Sequence, residues 1–301
     1  MAATQRFGLL NVNKPAGLTS RRVVDHVAKI VRPQKAGHAG TLDPLATGVL
    51  VVCVGKATRL IEFVQEQRKT YKARFVLGCQ SDTDDVTGIV TEVAVSSEIT
   101  LAQIEEALPA FCGQIQQVPP SFSAVHVGGQ RAYDRARRGE EVTIEARPVD
   151  VYRLELTRFE YPELDLVIEC GSGTYVRSIG RDLGQMLGCG AVMSALVRTQ
   201  IGPYRIEDAV TLDRLKSETI DPLILPPTTA LEGLAKYQAS QEDVANLRAG
   251  RPFGSALDAG IGFEASDGAS VAVVTIDDEL LCLGEFDSRR NRLLPRRVFV
   301  D

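Results

Sequence analysis

The chain has 301 residues, of which 44% are hydrophobic and 24% charged, and its formal net charge is −5. That length and apolar content suit a globular protein of two domains. The lack of any apolar run near the roughly 20 residues of a membrane span argues against a membrane protein, and the acidic balance excludes a uniformly basic nucleic-acid binder. The first residues, MAATQRFGLLNV, form no signal-peptide run, so the expected compartment is the cytoplasm. The six cysteines stand singly with no C-x-x-C pair, which points to buried thiols rather than disulfides or metal ligands.

In chain order, Phe7 to Val12 reads as a strand and NKPAGLTS as a turn around Lys14, Pro15 and Gly17. Thr19 or Ser20 can cap a helix whose Val23, Val24, Val27, Ile30 and Val31 recur at helical spacing. The central stretch follows, GHAGTLDPLATGVLVVCVGKATR, from Gly37 to Arg59. It sets one carboxylate, Asp43, in a turn of glycines and small residues just before the apolar run Val49 to Val54, a buried strand. Asp43 and Pro44 are also a good start for a short helical turn. With His38 nearby, and with Gly37, Gly40 and Gly48 permitting close backbone approach, the carboxylate is equally placed to touch a ligand.

Tyr71 to Leu77 alternates as a half-buried strand with Tyr71, Ala73, Phe75 and Leu77 on one face. The acidic segment at 78–88 resembles a cation loop but lacks the downstream glutamate of an EF-hand, so a hairpin connection is expected. Thr100 and Gln103 form a capping box before Ile104, Ala107, Leu108 and Phe111. Residues 117–142 mix Pro, Gly, Arg and aromatics, including Arg131 and Tyr133, in a pattern suited to stacking and phosphate contacts on RNA. Strands are predicted near 150–159 and at Leu164–Cys170. A helix follows with Val176, Ile179, Leu183, Met186 and Leu187 buried and Arg177 and Arg181 on another face. The Pro-rich LPPTTAL, 225–231, looks like the end of a first domain. Beyond it, a helix capped by Ser240 and Asp243 precedes strands at Val271–Ile276 and Leu280–Phe286.

Several of these blocks resemble the TruB family of pseudouridine synthases: GHAGTLDPLATGVL, the K-P-x-G-x-[ST] turn at Lys14, K-T-Y at Tyr71, QVPPSFSAVH, G-T-Y-x-R at Tyr175 and Arg177, and ALVRTQIGPY with Leu196. His126 stands where the family usually has lysine. The resemblance implies an α/β (α+β) fold with a largely antiparallel mixed sheet over residues 1–235, followed by a small β-rich, PUA-like RNA-binding domain at 236–301. It implies a tRNA pseudouridine(55) synthase acting on the T-arm stem-loop, with no cofactor, metal, membrane or protein partner.

The roles implied are Asp43 as the essential carboxylate, Arg177 as its orienting cation and Tyr71 as a catalytic residue that stacks on the base or handles a proton. Tyr175 and Leu196 would be pocket walls, and His38 would fill the gap left by the extruded base. Lys14, Arg131 and Tyr133 would be further contacts to the RNA. A single ionised carboxylate can open this reaction by attacking base or sugar or by removing a sugar proton. A non-catalytic RNA-binding protein and a metal-dependent nucleoside hydrolase using the DTDD segment at 82–85 remain rivals.

Overall fold

The chain is seen in a computed structural model that describes residues 6–300 apart from 96–98, 124, 128–129, 132, 134, 136–137, 139, 141–142 and 255–265, with backbone alone at 126–127 and 130–131. The apolar and alternating runs become strands. They are β1 (Gly8–Lys14), β2 (Ala36–His38), β3 (Thr47–Val54), β4 (Lys69–Leu77), β5 (Cys79–Ser81), β6 (Val90–Glu92), β7 (Gly113–Gln117), β8 (His126–Val127), β9 (Gln130–Arg131), β10 (Arg147–Glu160), β11 (Glu163–Cys170), β12 (Ala191–Ile201) and β13 (Tyr204–Arg205). The main sheet runs β1-β3-β12-β4-β11-β10-β7, with β2 beside β3 and β13 beside β12. All of its pairings are antiparallel except β3 with β12, where Thr47 lies opposite Val197 and Gly48 opposite Arg198. The sheet is therefore the largely antiparallel mixed one expected, and β5 and β6 close the acidic segment as a hairpin.

Helices cover both faces. In α1 (Ser20–Ile30), Val23, Val24 and Val27 pack on Leu10, Val12, Leu50 and Val52. Thr19 is the cap, its hydroxyl accepting from the Arg22 N–H, which leaves Ser20 free for another task. The short helices α2 (Ile61–Glu66) and α3 (Leu101–Ala107) follow, and Thr100 and Gln103 complete the predicted capping box of α3. In α4 (Val176–Met186), Ile179 and Leu183 lie against Phe75, Ile168 and Met193 of the sheet. Met186, predicted to be buried, is 56% exposed: the helix ends there and Leu187 packs against the core instead.

A second sheet, β14 (Ala235–Gln238), β15 (Ser270–Val274), β16 (Leu280–Asp287) and β17 (Arg292–Val298), is joined by α5 (Gln241–Arg248), whose cap is Ser240 with Asp243. Strand β15 stops at Val274 rather than Ile276, because Thr275 turns the chain. Its N–H donates to Glu279 O and its hydroxyl accepts from Asp277 N, leaving Ile276 on the surface. No helix among the described residues is long and apolar enough to cross a membrane.

The distance of α4 from the sheet is set at Gly180, where an added Cβ would overlap the Phe75 ring. Gly180→Ala is expected to push the helix outward and cost about 1–3 kcal/mol of stability. Chemical denaturation measures it, and an unchanged midpoint with unchanged slope would show that the contact does not set the spacing.

Candidate active site

The loop that carries Asp43 runs from the end of β2 to the start of β3, and four neighbours hold its backbone. Ser20 Oγ accepts from Leu42 N at 2.8 Å and donates to Leu42 O at 3.1 Å. Gly17 N donates to Pro44 O at 2.8 Å. Lys14 Nζ donates to Leu18 O at 2.6 Å, Pro15 O at 3.0 Å and Pro44 O at 3.4 Å. Arg198 donates to Gly40 O at 3.1 Å and Thr41 O at 3.5 Å. Within the loop Ala46 N closes a single turn on Asp43 O, so Asp43 and Pro44 do start a turn while the Asp43 side chain points elsewhere.

It points at Arg177. The guanidinium meets the carboxylate in two-pronged fashion, Nε to Oδ2 at 3.0 Å and Nη2 to Oδ1 at 3.4 Å. Arg177 is 5% exposed and is aimed by two further carbonyls, Thr83 O at 2.7 Å and Phe122 O at 3.1 Å. A fork fixed by backbone acceptors at its back is a pre-organised partner for a carboxylate. The Asp43 side chain stays 34% exposed, so one aspect remains open to a ligand.

Burial pushes the Asp43 carboxyl above the ordinary aspartate range. Arg177 pulls it down, Asp85 pushes it up and Lys14 pulls it down. Asp85 is 4% exposed, and its Oδ1 accepts from Thr83 Oγ1 and Thr87 N at 2.9 Å, while Oδ2 lies 3.9 Å from Arg177. The rest of the DTDD segment is also engaged: Asp82 accepts from Ile89 N at 2.8 Å, and Asp84 pairs with Arg181 at 3.0 Å.

Tyr71 and Leu196, each 7% exposed, share an apolar cluster with Leu42 and Ala46, which flank Asp43. Burial raises the Tyr71 hydroxyl above the usual phenol range, so near neutral pH it is a donor. Tyr175 caps α4, and its backbone is clamped by Gln117, which donates to Tyr175 O at 3.1 Å and accepts from Tyr175 N at 2.8 Å. The Arg147 guanidinium lies 5.3 Å from the centre of the Tyr175 ring. His38 sits half-buried at the end of β2. Burial, then Arg198 and Arg21, lower its pKa, so the imidazole is neutral near pH 7.

Lys14, expected on the RNA, has a fully buried side chain among carbonyls beneath the loop, and burial lowers its pKa to about 8. Tyr133 donates its N–H to Ser123 O at 3.0 Å, next to the Phe122 carbonyl that holds Arg177. Arg131 lies in β9, but its side chain falls outside the described residues, as does much of 117–142. Nearby Arg135 and Arg138 both pair with Glu140. A groove of about 660 Å³ along the β5–β6 hairpin is lined by Asp82, Asp84, Arg181 and Gln185 but not by Asp43.

Sequence reasoning offered Ser20 only as a helix cap and Asp85 only within the DTDD segment, and it passed over Gln117 and above all Arg198. The signal for Arg198 was its alternation with Leu196, which puts both on one face of β12.

The TruB family pseudouridylate synthase N-terminal domain matches residues 28–176, and the tRNA pseudouridylate synthase B C-terminal domain matches residues 177–232. The chain is similar to the tRNA pseudouridine synthase B of Cereibacter sphaeroides, 48% identical over 252 residues, which covers 81% of this chain and 83% of that protein. It is similar to that of Gloeothece citriformis, 39% identical over 304 residues and 97% of each chain. Among solved structures, a chain of a Cbf5–Nop10–Gar1 complex matches with a TM-score of 0.73 and 29% identity, covering 98% of this chain and 85% of that one.

Because Arg177 opposes the effect of burial on Asp43, Arg177→Gln should move the Asp43 titration midpoint further up. Carboxyl-carbon NMR of the labelled aspartate reads the shift. A midpoint unchanged from wild type would mean that the pair does not govern ionisation.

Proposed function

The chain belongs to the TruB family of pseudouridine synthases, and on that premise we propose that it isomerises a uridine in the T-loop of tRNA, at position 55, with Asp43 as the essential carboxylate. The observation that carries this reading is the two-pronged contact of Asp43 with a buried Arg177, beside the apolar cluster that holds Tyr71 and Leu196.

The reaction breaks the bond from N1 of uracil to the ribose carbon and makes one from C5 to the same carbon. N1 ends with a proton and C5 loses one, so nothing is oxidised or consumed. The ionised Asp43 opens it by attack on the base or sugar or by removal of a sugar proton. Arg177 keeps that carboxylate charged where burial opposes it. Tyr71 stacks on the base, while Leu196 and Tyr175 exclude water so that the detached uracil turns in place. The target must leave the T-loop to reach Asp43, and His38 at the pocket's edge occupies the space it vacates. Tyr133 and Arg131, from the segment whose Phe122 carbonyl holds Arg177, contact the RNA around the base. Lys14 serves the RNA indirectly, through the loop. Residues 236–301 extend the RNA surface, and one chain acts without a protein partner.

Pseudouridine formation in a T-arm hairpin, with the purified chain and no added metal or cofactor, tests this reading. Asp43→Asn should lose at least about 10³-fold in rate. Release of free uracil would favour a hydrolase. Salt-sensitive hairpin binding with no product from either protein would favour a non-catalytic RNA binder. The rate should also fall as pH drops through the Asp43 pKa, above the range of an ordinary aspartate, because only the ionised carboxylate is competent and burial raises its pKa. A wild-type rate that is flat down to the ordinary aspartate range would remove Asp43 from the chemistry.

A further inference from the structure

We propose that Arg198 is a positioning residue that fixes the Asp43 loop for reaction, an inference that rests on the isomerase reading above. Arg198 is 1% exposed and stands in none of the ion pairs seen among the described residues. Its fork reaches three backbone carbonyls, Nε donating to Val49 O at 2.8 Å, Nη2 to Gly40 O at 3.1 Å and Nη1 to Thr41 O at 3.5 Å, and the guanidinium also hydrogen-bonds the Tyr71 side chain. These acceptors lie on both sides of Asp43, so one rigid planar group spans the loop from its first residues to the strand that follows.

The loop is shaped to receive it. Gly40 and Gly48 both have positive φ, 105° and 98°. A Cβ on Gly48 would overlap the Arg198 carbonyl, and one on Gly40 would lie 3.6 Å from Nη1. Gly48 thus admits the β12 backbone, while at Gly40 the guanidinium lies at ordinary contact distance. Burying a guanidinium without a carboxylate is unfavourable, and an apolar side chain of similar volume would fill the space with less penalty. Geometry is what the fork adds. Three bonds in one plane fix the direction in which Asp43 leaves the backbone, and the same group lies 6.0 Å from the centre of the Tyr71 ring. A lysine keeps the charge, but its donors diverge from one nitrogen and lack the planar fork whose separate nitrogens meet Gly40 and Val49.

The full-length chain is compared with Arg198→Lys and Arg198→Met on the T-arm hairpin, following kcat, KM and hairpin affinity. Amide exchange of residues 40–46 is measured without RNA. Both variants should lose about 10²-fold in kcat, the effect of a misplaced reacting group. KM and affinity should stay within about threefold, and exchange should rise in the loop ahead of the rest of the sheet. Full kcat in Arg198→Lys would show that charge alone matters and overturn the proposal. So would a kcat near wild type in Arg198→Met, an effect confined to KM, or failure of both variants to fold. If the wild type makes no pseudouridine, the isomerase reading fails by itself, and amide exchange still reports whether Arg198 holds the loop.

Discussion

A carboxylate that is to remain ionised in a closing pocket needs a cation fixed beside it. Here that cation arrives from 134 residues away, when Arg177 on the first turn of α4 meets Asp43. The pair depends on α4 lying close to the sheet at Gly180, on Gln117 clamping the helix start, and on the Thr83 and Phe122 carbonyls aiming the guanidinium. Asp85 gives the opposite push, and its own charge is met by the hydroxyls and N–H of Thr83 and Thr87. The ionisation of Asp43 is therefore a balance of burial and Asp85 against Arg177, the larger cationic influence, and Lys14.

Buried cations held by backbone carbonyls recur around the main sheet. Lys14 is held by Pro15, Leu18 and Pro44, Lys69 by Gln65 and Gln67, and Arg198 by Gly40, Thr41 and Val49. Burial lowers both lysines to about 8, with Arg198 adding repulsion to each. Such groups supply donors to backbone carbonyls of turns and loops such as Gly40 and Leu18, which lie outside the strands. Exposed pairs such as Arg158 with Glu163 lie in water and add little.

The second sheet is attached through side chains as well as backbone. Phe299 stacks on Phe7 with ring centres 5.5 Å apart, and Arg59 lies over the same ring at 5.1 Å. Lys56 and Arg59 donate to the Phe299 and Val298 carbonyls, and Arg297 reaches back to Arg59 O and Glu62. Ala272, Val274, Leu280 and Leu283 join a core cluster with Leu9, Val51 and Leu60. An apolar junction of this kind holds the two sheets in one arrangement.

Local patterns were enough to read the strands, through alternation at Tyr71–Leu77 and Leu164–Cys170, and the starts of α3 and α5, through capping boxes whose partners are three residues apart. The sequence singled out Asp43 and Arg177 through motif resemblance, and it predicted the hairpin over the acidic segment. These are local patterns, and local stereochemistry is enough to read them. Tertiary structure alone decided what the charged groups do. Lys14 turned inward because Pro44 O lies across the loop from it. Ser20 became a tie to Leu42 because Thr19 took the cap, and Met186 stayed outside because α4 ended beneath it. Arg198 found its acceptors only where β12 runs parallel to β3. The worth of a charge depends on what stands within a few ångströms across the fold, and strand register and packing set that distance.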